Sequence, residues 1–94
     1  MKFACMILGR FDMEIHRADI KNGNAQIVGV RNLDAACELA KRLQAEGVDC
    51  LEVCGAFGEA GTRRLMEATG GTLPLGYVTH LPEQDPLFDA LFKK

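Results

Sequence analysis

The stretch GVDCLEVCGAFGEAGTRRLMEATGGTLPLGYVTH, Gly47 to His80, decides how this chain folds. A short apolar run, Leu51 to Gly55, leads into the small residues Gly55-Ala56-Phe57-Gly58. A helical pattern from Gly58 to Thr69 follows, closed by Gly70-Gly71, and then a second apolar run from Leu75 to His80. Strand, loop, helix, strand in that order is a parallel crossover unit. It sets Cys54 at the carboxyl end of one strand and His80 at the carboxyl end of the next, which is where open α/β sheets hold their ligands.

The same alternation continues outward. Upstream, Asn32 is placed to N-cap a helix whose apolar positions Leu33, Ala36, Cys37, Ala40 and Leu43 recur at helical spacing, with Gly47 as its stop. Before it, His16 to Ile20 and Ala25 to Val30 flank Lys21-Asn22-Gly23-Asn24, and Asn-Gly between two such runs signals a hairpin. Phe3 to Leu8 is apolar throughout, the pattern of a central strand covered on both faces. Downstream, Asp85 as N-cap and Pro86 at the first helical position open a short helix carrying Leu87, Phe88, Leu91 and Phe92. In the helix from Gly58, the apolar face falls to Ala60, Leu65, Met66 and Ala68. The expected fold is a single α/β domain over residues 1–94. Its sheet is mostly parallel, of four or five strands with an Asn-Gly hairpin, flanked by two main helices and a short C-terminal one.

Composition narrows the classes of function. A chain of 94 residues with 48% apolar and 26% charged residues is an ordinary globular domain. A net charge of −2, with arginines scattered singly apart from Arg63-Arg64, gives no footprint for a phosphate backbone, so no nucleic acid partner is expected. No run approaches the ~20 apolar residues of a membrane span, and Arg10 and Asp12 halt the N-terminal apolar run too early for a signal peptide. The expectation is a cytoplasmic protein with no membrane partner. Neither a Walker loop nor a Gly-x-Gly-x-x-Gly turn nor a zinc-ligand spacing is present, so no cofactor and no metal are expected.

The four cysteines do not form a disulfide framework. Cys5 lies inside an apolar strand and Cys37 on the apolar stripe of a helix, where both serve as small core hydrophobes. Cys50 and Cys54 are four apart on one strand, roughly 13 Å between Cα atoms, too far to bridge or to share a metal. Strand alternation puts Cys50, Glu52 and Cys54 on one face and Leu51 and Val53 on the other. Either both helices cover the second face and Glu52 looks toward solvent or another subunit, or Glu52 is a buried acid lining a site. The apolar terminal helix on so small a domain makes a homodimer the expected assembly.

Cys54 and the loop after it form the candidate site. Backbone N–H groups of Gly55, Gly58 and Gly61 at a helix start can hold a carboxylate or phosphate, and the same field favours a thiolate. Glu59 competes, since its own carboxylate can take the anion's place. Thr79 and His80 end the neighbouring strand, so a Cys54 to His80 pairing is geometrically available. Arg31, at the end of another parallel strand, can reach the same rim and bind a carboxylate. Each residue also has a plain role: glycines for a tight turn, Cys54 as a buried small residue, His80 bonding a turn, Arg31 solvated, His16 exposed in the hairpin. Two functional expectations stand. One is a module that binds a small anionic ligand, with Cys54 and His80 capable of thiol-dependent isomerase or lyase chemistry. The other is a non-catalytic binding or oligomerisation module.

The combination of Ile27-Val28-Gly29-Val30, Glu52-Val53-Cys54-Gly55-Ala56-Phe57-Gly58 and Gly76-Tyr77-Val78-Thr79-His80 resembles a small prokaryotic family known as a domain of unknown function. That resemblance covers nearly the whole chain and implies a length and a fold, with no activity attached. Locally, Phe57-Gly58-Glu59-Ala60-Gly61 is similar to the loop after the catalytic cysteine in the aspartate, glutamate and hydantoin racemases. This resemblance makes Cys54 the cysteine, although it stands two residues further from the loop than in that superfamily. Those enzymes draw two cysteines from two homologous halves, so the likeness implies a symmetric dimer.

Overall fold

The apolar strand Phe3–Leu8 (β1) sits at the centre of a five-stranded sheet in the computed structural model, which describes residues 1–93. The chain continues through β2 (Arg17–Ile20), β3 (Ala25–Val30), α1 (Leu33–Ala45), β4 (Cys50–Val53), α2 (Gly58–Ala68), β5 (Leu75–Tyr77) and α3 (Asp85–Phe92). Short 3-10 turns at Gly55–Phe57 and Pro82–Gln84 precede the last two helices. The strand order is β2-β3-β1-β4-β5. Only β2, paired with β3 in the hairpin, runs antiparallel. The expected mostly parallel α/β domain is therefore what forms, with the hairpin supplying the fifth strand.

The local signals act as their chemistry requires. Asn32 caps α1, its side-chain oxygen accepting from the Ala35 amide at 2.8 Å, and Gly47 follows the helix at φ +93°. The hairpin loop spans residues 21–24, with Lys21, Asn22 and Gly23 all at positive φ. Helices α1 and α2 lie side by side on one face of the sheet. There Ala4, Met6, Val28, Val30, Leu51 and Val53 meet Leu39, Leu43 and Leu65, all essentially fully buried. Arg64 of α2 pairs with Asp34 of α1 across the helix surface.

Four expectations need correction. First, β1 is central but covered on one face only; its all-apolar pattern mixes core positions Ala4 and Met6 with Phe3, Cys5 and Ile7 on the uncovered side. Cys5 is thus not a core residue. Second, the buried face of α2 is Gly61, Thr62 and Leu65, while Met66 is 40% exposed. Small and hydroxyl residues pack there because Gly61 must sit against Phe57 and Leu33, and the hydroxyls of Thr62 and Thr69 bond to Gly58 O and Leu65 O within their own helix. Third, β5 stops at Tyr77 instead of His80, and β4 runs from Cys50 to Val53 instead of Leu51 to Gly55. Fourth, Asp85 does not N-cap α3. The turn Pro82–Gln84 runs straight into the helix, Gln84 takes the cap position in helical geometry, and the Asp85 carboxylate turns to His80.

The opposite face of the sheet carries no helix. Strand register aligns Ala18 and Ile20 of β2, Ala25, Ile27 and Gly29 of β3, Phe3, Cys5 and Ile7 of β1, Cys50 and Glu52 of β4, and Gly76 of β5 on it. At its top Phe11 folds back over Gly9 and Gly29; a Cβ on Gly29 would stand 2.4 Å from the Phe11 ring. A glycine inside a strand pattern marks such a close approach.

Candidate functional site

The carboxyl ends of β1, β4 and β5 meet where Cys54 leaves the sheet. Its amide still bonds to the Met6 carbonyl, as a continuing parallel strand would, but the next ladder bond is made by the side chain: Leu8 N–H donates to Cys54 Sγ at 3.3 Å. The thiol therefore closes the β1–β4 ladder and frees the backbone to turn. Residues Gly55–Phe57 make one 3-10 turn, closed by Gly58 N–H on the Gly55 carbonyl, and Phe57 plugs into the core. Gly55 sits close against the next strand, where a Cβ would approach Val78 O to 3.2 Å and the backbone there would have to give by a few tenths of an ångström. Gly58, at φ +61° and ψ −174°, occupies backbone space that only glycine enters freely.

Two polar groups at this turn differ from what the sequence suggested. Glu59 does not fold over the helix start; its carboxylate accepts from Arg63 Nε and Nη2, both at 3.0 Å, one turn along α2. His80 does not bond to Cys54. Its Nε2–H donates to Asp85 Oδ1 at 2.7 Å, and its ring stacks face to face on Phe88 with centroids 4.0 Å apart. The level of Cys54 on β4 corresponds to Val78, two residues before His80, and Val78 N–H bonds to the Val53 carbonyl. His80 is thereby the clamp of the C-terminal segment.

The remaining candidates lie in separate places. Gly61 is buried in the contact between α1 and α2, and Thr79 is exposed in the connector after β5. Glu52 is exposed on the open face beside Cys5 and Gly76. Burial first, and then the neighbouring Glu52 and Cys50, push the Cys5 thiol above its ordinary value of 9.0. Arg31 stands above β3, separated from Cys54 by the whole of β1, at the mouth of a cleft of about 420 Å³ that it shares with Phe11, Asp12, Glu14, Asp34 and Glu38. Four carboxylates around one guanidinium make this cleft unsuited to an anion. Glu14 is drawn to Arg42 at 3.1 Å, Glu38 to the same guanidinium at 3.9 Å, and Asp34 to Arg64, so three of the four already have cations. The i, i+4 spacing of Asp34 and Glu38 was a legible signal for an acidic helix face; the contribution of the 11–14 connection was not.

A family model described as a family of unknown function (DUF6506) matches residues 1–93. The chain belongs to that family. Comparison with curated proteins and with solved structures finds no match. The function of that family is unknown, and neither comparison returns a racemase. No helix among the described residues is long and apolar enough to cross a membrane.

Proposed function

We propose that the chain is a self-associating module that works as a homodimer, joined through the face of the sheet that bears no helix. One observation carries this: that face exposes Ile20 at 70% and Ile27 at 43%, flanks them with the half-buried Phe3, Cys5, Ile7 and Cys50, and offers Glu52 as its charge. Isolated surface hydrophobes are ordinary, whereas a contiguous apolar sheet face marks an interaction site. Area points the same way. A compact monomer of 10.3 kDa would expose about 5,400 Å². This chain exposes 6328 Å², and the surplus is close to the ~800 Å² that each partner contributes to a standard interface. Light scattering of the purified protein at micromolar concentration should give twice the chain mass. A mass of one chain there would sink the proposal.

A second reading concerns the Cys54 loop as a site for a small carboxylate. It is favoured by Glu59 being held by Arg63, away from the turn, and by the Leu8 amide aimed at Sγ. Alkylation of the four cysteines followed by mass spectrometry tests it: Cys54 should react fastest at neutral pH, and a Cys54 as slow as Cys37 would remove the thiol chemistry. We further propose a cytoplasmic location, since all four cysteines are free thiols, as a reducing compartment keeps them.

A further inference from the structure

The chain has a second uncovered apolar surface, and it complements the first. Every residue from Thr79 to Lys93 is exposed. Helix α3 presents Leu87 at 65%, Leu91 at 56% and Phe92 at 77% along one stripe, while Phe88 is spoken for by His80. The His80–Asp85 bond and the His80–Phe88 stack fix this helix against the connector that leads to it, so it projects from the body. The radius of gyration, 13.7 Å, exceeds the about 12.4 Å of a compact chain of this length, as a projecting arm requires.

Resting on the homodimer reading above, we infer that α3 of one copy lies across the open sheet face of a second copy, and the second copy's α3 across the first. Size and symmetry favour this occupant. Eight helical residues span about 12 Å, which fits within the roughly 20 Å of a six-residue strand. The open face alone is a plane of roughly 400 Å², too small for a stable interface unless another element adds area. Two reciprocal arms supply it, and a two-fold axis makes the exchange closed, so that no sticky surface is left to propagate.

The native thiols of Cys5 and Cys50 on that face are reporters for a full-length Leu91→Cys chain. Nitrogen-15-labelled and unlabelled copies are mixed, allowed to exchange subunits, and treated with a short bis-maleimide. Mass spectrometry should find residue 91 joined to Cys5 or Cys50 in mixed-isotope pairs. Links confined to one isotope would place α3 on its own sheet and overturn the inference. A dimeric mass with no link from residue 91 to either thiol, or with 91-to-91 links alone, would overturn it too while leaving the homodimer standing. A one-chain mass for the untreated protein would remove both.

Discussion

The two faces of the sheet are written in nearly the same alphabet and do opposite work. On the helix side, β1, β3 and β4 contribute Ala4, Met6, Val28, Val30, Leu51 and Val53, each buried to within about a percent. On the other side the same strands contribute Phe3, Cys5, Ile7, Ile27 and Cys50, all at least partly exposed. What separates the faces is not hydrophobicity but the supply of cover: the chain has two amphipathic helices long enough to pack on its sheet, and both go to one side. The third helix, α3, is apolar enough to cover the other side but is clamped away from it.

Substitution can break or sharpen that contrast. The largest effect belongs to the covered face, where Leu51→Ala or Leu39→Ala should cost about 3–5 kcal/mol in urea unfolding, because a fully enclosed side chain leaves a cavity. The matched change Ile27→Ala should cost under about 1 kcal/mol when measured on dilute, dissociated protein, its side chain being part-exposed already. Equal costs would erase the distinction between the faces. Next, Ile27→Glu should weaken dimerisation by at least about 2 kcal/mol, roughly 30-fold in the dissociation constant, while circular dichroism of the subunit stays unchanged. An unaltered constant from sedimentation would show that the open face is not the contact.

Smaller effects sharpen the local accounts. Asn32→Ala should lower stability by about 1 kcal/mol through loss of the cap on the Ala35 amide, and a loss below the error of a chemical melt would mean that water replaces it. The folded chain holds the Cys5 proton more tightly than the unfolded chain does, so this group's contribution is complete below its ordinary value of 9.0 and is lost as pH rises through the elevated folded value. Stability should therefore decline on the alkaline side. Glu52→Gln should speed Cys5 alkylation a few-fold near pH 9.0, since it removes one of the charges that hold the proton on. An unchanged rate would assign the whole elevation to burial and Cys50.

Much of the architecture was legible because it is encoded locally. The Asn32 cap and Gly47 stop bounded α1 within a residue, and the Asn22-Gly23 turn located the hairpin. Alternation around Glu52 already offered a sheet with one face left bare. Illegible features depend on pairing between distant segments. That β1 is apolar on both sides does not say whether cover is available for both, which is a property of the helices' placement. On α2 hydropathy identifies the buried Leu65 but not its neighbours Gly61 and Thr62, which pack by smallness and by an internally satisfied hydroxyl that hydropathy counts as polar. The candidate site dispersed for a related reason: strand order put β1 between Arg31 and Cys54, and the early end of β5 carried His80 out to Phe88 and Asp85. Only Cys54, Gly55 and Gly58 share one turn, and they are the residues contiguous in sequence.

The central position of β1 has a consequence for how the domain is assembled as it is made. Of the five strands in this sheet, β1 is made before both of the strands it pairs with, β3 on one flank and β4 on the other. Each later parallel strand, β3, then β4, then β5, joins an edge that already exists, so the order of synthesis is also an order in which pairing is possible. Non-local strand pairing is the slow part of folding such sheets. In this chain the slowest closure, β1 with β4, awaits only the completion of α1 between them, and the growing edge is exposed until β5 arrives.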